Sequence, residues 1–322
     1  MTLQEIRAAL HECADEDDAV ALKRFFKTGS GEYGEGDVFI GVRVPATRRV
    51  AKQYKNLPLE DTLVLLRSEI HEERLLALIL MVNAFKKASS VQQQELYEHY
   101  LEHTAYINNW DLVDTSAEHI VGGYLWERSR KPLYTLVASE SLWERRIAIM
   151  ATFHFIKKGA FDETLKLAEQ LLLDTEDLIH KAVGWMLREL GKRDQEVEEV
   201  FLREHYQHMP RTMLRYAIEK FPEELRQQYL KGTINTTKSE EKDIEMTPEQ
   251  LVEQWFGEYE DGTFDTLEEA LETLEELKES IPSKHKDLHK KMKKELIILG
   301  EQLRCVYMDE PVPTREQLLE EL

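Results

Sequence analysis

Residues 180–194 read HKAVGWMLRELGKRD. Ile179, Ala182, Val183, Met186, Leu187 and Leu190 recur at helical spacing and cover one side. Lys181, Trp185, Arg188 and Lys192 step by four, three and four along another. The segment therefore reads as an amphipathic helix whose indole sits among cations instead of on the apolar face. Cation–π packing would explain that placement without any function. Working outward, segments with the same period start near Ile70, Trp110, Leu142, Asp177 and Arg211, 32 to 40 residues apart. Second helices fall between them, VQQQELYEHYLEH (91–103) and DETLKLAEQLLL (162–173) among them. A helix pair recurring at that period predicts an all-α, HEAT-like helical repeat solenoid. The expectation rests on spacing, because residue identity between repeats is weak. One stretch breaks the pattern: GSGEYGEGDVFIGVRVPATRRVAK (29–52), with five glycines and Pro45. VFIGVRV could pass for a short strand, but we expect a structured loop leading into a helix that starts near Pro45.

The bulk numbers agree with a helical protein. Of 322 residues, 42% are apolar and 32% charged, with only nine prolines and 14 glycines to punctuate them. No apolar run approaches the roughly 18–20 residues of a membrane span. The acidic, amphipathic start MTLQEIRAALHECADEDD is unlike a signal peptide, so a cytoplasmic protein is expected. The formal net charge of −20 argues against a nucleic-acid binder when taken alone. It is unevenly spread: residues 1–230 hold 30 Lys/Arg against 38 Asp/Glu (net −8), and residues 231–322 hold 12 against 24 (net −12). For a polyanionic ligand, the field of one surface matters more than the total. The character of the chain changes near Lys231. We expect a helical-repeat domain over 1–232, a polar linker over 233–247 and an acidic helical region over 248–322. Within the last, LEEALETLEELKE carries a leucine stripe that reads as a packing face.

Four segments hold candidate chemistry. In NNWDLVD (108–114), Trp110 and Asp114 lie four residues apart and share a helix face, with Asp111 beside them. The ordinary reading places both acids at the positive end of a helix and the indole in a core. In SLWERRIAIMATFHFIKKG (141–159), Ile147, Ala148, Ala151, Phe155 and Ile156 form an apolar face. Arg146, Met150, Phe153 and Lys157 form a second stripe, which alone reads as a solvated edge. The helix at 180–194 adds Lys181, Trp185 and Arg188, and MPRTMLRYAIEKFP (209–222) adds Arg211 and Arg215. If these helices line one concave wall, two indoles, one or two carboxylates and a basic row converge there. Positive charge suits phosphates. Indoles suit a flat or cationic group, and a carboxylate suits a developing cation. Cleavage of an N-glycosidic bond in alkylated DNA needs that combination. Metal and nucleotide chemistry find no such support: Cys13 and Cys305 are far apart, the HEE and EHY stretches lack ligand spacing, and GEGD lacks a phosphate-loop lysine. No metal and no cofactor are expected.

The sequence resembles the DNA alkylation repair glycosylases of the AlkD type, a HEAT-like repeat family. The matching stretches are YGEGDVFIGVRVPATRRVAK, NNWDLVD, LWERRIAI, HKAVGWMLRELGKRD and MPRTMLRYAIEKFP, in the family's order over roughly residues 1–230. The resemblance implies hydrolytic excision of cationic N3- or N7-alkylated purines from duplex DNA, without a base-extrusion pocket. It puts the catalytic carboxylate at Asp114, the site tryptophans at Trp110 and Trp185, and the phosphate-contacting arginine at Arg146, with Arg145 as the other choice. Lys157, Lys181, Arg188, Arg211 and Arg215 are further DNA-binding candidates. The acidic region beyond about residue 235 lies outside the resemblance. The alternative is a non-catalytic HEAT-like scaffold that binds structured nucleic acid or a protein partner.

Overall fold

The computed structural model describes residues 2–234 and, toward the C-terminus, residues 267–281 and 286–307 with scattered positions between 252 and 318. The chain divides into two compact units, residues 1–236 and 237–322. The expected linker lies outside the described residues apart from its first two positions.

The first unit is all-α, opens with α1 (Leu3–His11) and α2 (Glu16–Phe25), and includes the single turn α8 (Gly123–Leu125). Its inner row comprises α3 (Val44–Gln53), α5 (His71–Phe85), α7 (Trp110–Ala117), α10 (Leu142–Ala151), α13 (Asp177–Gly191) and α15 (Arg211–Ala217), each packed on the next. An outer row of α4 (Leu59–Leu66), α6 (Ser90–Glu102), α9 (Lys131–Val137), α12 (Asp162–Gln170) and α14 (Gln195–His205) lies against it. The inner helices begin within a residue of the starts expected from periodicity. Gly29–Val42 is the expected loop: among the described residues there is no strand, only an isolated bridge between Val38 and Ile70. Pro45 occupies the first turn of α3, where a missing N–H costs nothing. The loop is held by Glu72, whose carboxylate accepts N–H bonds from Ile40, Gly41 and Val42 at 2.8–3.2 Å.

Three of the six inner helices share a start device that periodicity does not reveal. Arg74, in the second turn of α5, donates to the carbonyls of Ser68 and Glu69. Arg145, at the same position of α10, donates to those of Ser139 and Glu140. His180 of α13 makes the corresponding contact to the Asp174 carbonyl at 2.5 Å. The two arginines sit in matching sequence, SEIHEER (68–74) and SESLWER (139–145). In each case a side chain satisfies carbonyls of the turn that delivers the helix, and so fixes its direction.

Two corrections concern α10. It is buried on more sides than an amphipathic helix, since Arg146 and Met150 lie inside with Ile147 and Ala148. The expected solvated edge is an interior face at Arg146 and Met150, while Phe153 is half-buried and Lys157 is exposed. The helical run also breaks at Thr152, before the short α11 (Phe153–Lys157). In the second unit, helices Leu267–Ser280 and Lys286–Tyr307 pack together. Val252, Trp255, Phe256, Ala270, Leu274, Met292 and Leu299 form its core, so the leucine stripe is a packing face.

Close approach of the inner helices depends on glycine. α7 continues through a π-helical turn, Glu118–Gly122, and a Cβ at Gly122 would collide with the Ala151 carbonyl and lie 2.8 Å from the Cβ of His154. At Gly184 a Cβ would lie 2.5 Å from the Cβ of Tyr216 and closer still to the Met213 carbonyl oxygen. Both obstacles belong to α15, one of them backbone, so they cannot swing away. Gly184→Ala is expected to force α13 and α15 apart and cost about 1–3 kcal/mol of stability, read from the urea midpoint. An unchanged midpoint would mean that this helix contact is loose.

Candidate active-site cleft

The inner-row helix starts enclose a cleft of about 520 Å³ lined by Phe25, Lys27, Tyr33, Trp110, Arg146, Glu176, Asp177, Leu178, Lys181, Trp185 and Tyr216. It brings together Trp110, Arg146, Lys181 and Trp185 from three helices. Asp114 is not among the lining residues and reaches the cleft through its pair with Arg146, which is. Arg146 Nε and Nη2 donate to Oδ1 and Oδ2 of Asp114 at 2.9 and 2.8 Å, a two-pronged pair, and Nη1 donates to the Leu178 carbonyl. Arg146 is only 4% exposed, so its guanidinium is committed to the carboxylate and to the start of α13. Burial pushes the Asp114 carboxyl above the usual carboxylate range, while the Arg146 charge pulls it back and Asp111 adds to the rise. Protonating Asp114 would strand a buried guanidinium, so the pair is held ionised.

Trp110 opens α7 and is wedged by aromatic side chains from the N-terminal helices and loop. Its ring stacks on Phe26 at 5.2 Å and meets the edge of Phe25 at 5.8 Å, and its indole N–H donates to the Tyr33 hydroxyl at 3.3 Å. Trp185 lies across the cleft, with its N–H on Glu189 at 3.2 Å and its ring near Phe153. Among the described residues the cations near it favour Phe153: Lys157 and Arg193 stand over that ring.

Asp111 faces away from Asp114's partner and toward α5. His71 Nε2 is 2.9 Å from Asp111 Oδ2, and Nδ1 is 2.7 Å from Asp37 Oδ2. Arg74 binds the other oxygen of Asp37 at 2.7 Å. Burial pulls the His71 imidazolium down, but Asp111 and Asp37 outweigh it and raise its pKa to about 9. Burial likewise opposes ionisation of Asp37, yet His71 and Arg74 hold its carboxyl below the usual range. His71 also stacks on Phe39 at 4.4 Å.

The remaining DNA-binding candidates are distributed and partly neutralised. Lys181 pairs with Asp177 at 2.6 Å at the cleft rim. Lys157 pairs with Glu118 at 2.5 Å, and Arg188 with Glu219. Arg145 turns to Asp174 at 2.6 Å and does not line the cleft. Arg211 donates to the Leu230 carbonyl at 2.6 Å, and Arg215 is exposed on α15. Sequence reasoning missed Phe25, Lys27, Tyr33 and Tyr216. A tyrosine inside the glycine-rich GEYGEGD was the available signal for Tyr33, since such a loop can carry an aromatic ring into a neighbouring wall.

Comparison with known proteins follows the same line. The profile described as "DNA alkylation repair enzyme" matches residues 6–221, two thirds of the chain, and the protein belongs to that family. A solved structure, "Predicted DNA alkylation repair enzyme from Enterococcus faecalis", aligns over 65% of this chain and 97% of its own. The TM-score is 0.52 at 18% identity, a likeness of fold alone. No curated protein matches. Among the described residues, no helix is long and apolar enough to cross a membrane.

The His71 charge predicts a pH dependence. Its folded pKa of about 9 lies above the ordinary 6.5. The stability it contributes is therefore complete below pH 6.5 and is lost as pH rises through about 9, a span worth roughly 3 kcal/mol. Glu198, which burial pushes up to about 9, changes stability in the same direction. The difference between the parent and His71→Gln isolates the histidine. That difference in unfolding free energy is expected to shrink by roughly 3 kcal/mol between slightly acid and alkaline solution. A difference constant with pH would mean that His71 is not charged in the fold.

Proposed function

We propose that the protein is a DNA glycosylase that hydrolyses the N-glycosidic bond of cationic N3- or N7-alkylated purines in duplex DNA. The observation that carries this reading is the Asp114–Arg146 pair at a cleft flanked by Trp110 and Trp185. An alkylated purine is already cationic and leaves as a neutral base, so no general acid is required. The cost falls on the deoxyribose, which becomes oxocarbenium-like as the bond breaks. Asp114 supplies a fixed negative charge for that centre and an acceptor for the attacking water. Arg146 acts as a positioning residue, aiming the carboxylate without reorganisation during the reaction, and remains at the cleft wall within reach of a backbone phosphate. Trp110 and Trp185 exclude water and turn π faces toward the cation, each contributing about 0.5–2 kcal/mol. Lys181 and Lys27 attract phosphates at the rim. Selection then follows the charge and lability of the lesion, and neutral lesions are poor substrates.

The neutralised cations favour a second reading. Lys157, Lys181 and Arg188 are all paired with carboxylates, which suits a HEAT-like scaffold that binds structured nucleic acid or a protein without excision. Release of free base from methylated duplex DNA separates the two. Asp114→Asn is expected to retain DNA binding and lose about 10²–10³-fold in 7-methylguanine excision. Excision by the Asn variant at the parental rate would remove Asp114 from the mechanism. Absence of release by the parent protein would favour the scaffold.

A further inference from the structure

The last turn of α6 reads HYLEH, residues 99–103. It holds three groups with metal-ligating chemistry at positions i, i+3 and i+4: His99, Glu102 and His103. The EHY stretch holds only the first of them, and the partners of His99 lie one turn further on. In the folded chain the three groups each present a ligand atom, all within 4.8 Å of one another.

Three observations go beyond proximity. First, His103 is already oriented. Its Nδ1 lies 2.8 Å from the His99 carbonyl oxygen and donates to it, which leaves Nε2 with its lone pair outward. A backbone carbonyl that fixes the tautomer in this way is the usual support of a metal-ligating histidine. Second, His99 Nδ1 lies 3.0 Å from Glu102 Oε2. The carboxylate and the imidazole are thus already brought together, and a cation binding there would displace the proton they share. Third, the local charge favours a cation. α6 itself carries Glu95, Glu98 and Glu102 and no Lys or Arg.

We propose that His99, Glu102 and His103 form a binding site for one divalent transition-metal ion of the zinc class, separate from the cleft. The two imidazoles and one carboxylate suit Zn²⁺, Cu²⁺ or Ni²⁺ and not the hard, all-oxygen preference of Mg²⁺ or Ca²⁺. Ligand bonds of about 2.0–2.2 Å require the groups to close inward. The exposed Glu102 and half-exposed His99 can do so by side-chain rotation, while His103 keeps its orientation. The H-x-x-E-H spacing also occurs in zinc hydrolases. Here none of the three residues lines the cleft, so the site is assigned to binding and not to hydrolysis. Its consequence is mechanical. His103 closes α6 and opens a 3-10 turn, Thr104–Tyr106, that leads to Asn109 and Trp110. A bound ion clips that junction.

The test uses the full chain, stripped with chelator and titrated with Zn²⁺ by calorimetry near neutral pH. The parent is expected to bind an equivalent of Zn²⁺ that excess Mg²⁺ does not displace, and to gain thermal stability from it. Cobalt substituted at the site should give a visible absorption band. The His99→Gln/His103→Gln double variant should lose the band and bind Zn²⁺ at least about tenfold more weakly, since even a supporting group is worth about 10–100-fold. Glu102→Gln, at a position whose side chain is 63% exposed, keeps the test open should the double variant misfold. It should weaken Zn²⁺ while leaving the metal-free melting temperature unchanged. Zn²⁺ affinity unchanged in the variants, or Mg²⁺ competing equally, overturns the proposal.

Discussion

A buried positive charge on His71 holds together the parts that make the cleft. The imidazolium bridges the carboxylate of the glycine-rich loop, Asp37, and that of α7, Asp111, while Arg74 closes the set. With His71 protonated, two cations face two anions in a region almost without water. With it neutral, one carboxylate is left without compensation, and breaking such a buried pair typically costs about 3–5 kcal/mol. Among the described residues Asp111 Oδ1 and Arg74 Nε are buried with no hydrogen-bond partner, so the network is already incompletely satisfied before any charge is removed. The same ring stacks on Phe39 and approaches Phe26, and Phe26 carries Trp110. The charge therefore fixes the loop and one indole wall together.

A helical repeat needs this kind of constraint. Apolar burial along the inner row is non-directional and tolerates sliding between neighbouring helices. The cleft runs from the starts of α7 and α13 to Trp185 at the middle of α13, and a small rotation of either helix would shift its indole. Directional contacts at those starts resist such motion: Arg74, Arg145 and His180 tie their helices to the carbonyls of the preceding turns. Arg145 and Arg74 each bind an aspartate from another segment, Asp174 and Asp37, so each start is also tied sideways. Gly122 and Gly184 then let the helices close to backbone contact.

The helix starts were legible in sequence because they follow apolar period, a local property. The gathering of Trp110, Arg146 and Trp185 was legible because equivalent positions of successive helices share a wall. What charged side chains do there was less so. Arg146 falls on a stripe that ends in Lys157, and periodicity alone puts both on a solvated edge. In the structure Arg146 is drawn inward by Asp114, 32 residues earlier, and Lys157 is captured by Glu118, 39 residues earlier. Ion pairing across helices depends on register between repeats, which one helix does not encode. The matching SEIHEER and SESLWER stretches are hard to pair in sequence for a related reason. They stand 71 residues apart, two repeats instead of one, with α7 between them starting from a different sequence.

The Asp114–Arg146 pair carries a tension that the mechanism must resolve. A carboxylate that stabilises a cation should be unscreened, yet this one is already neutralised by a guanidinium at two hydrogen-bond distances. An unpaired Asp at this depth would take up a proton and lose its charge, because desolvation disfavours the ionised form. The guanidinium prevents that and so preserves the anion. It also fixes the carboxylate plane, so the anion is oriented before substrate arrives. Under the proposed mechanism, a sugar cation forming in the cleft would meet charge that needs no reorganisation, the condition under which electrostatic stabilisation is largest. Arg146 thus trades some field strength for permanence of the charge. That exchange favours catalysis only if the cleft excludes water, and the two indoles together with Tyr33 and Phe25 surround it with surface suited to doing so.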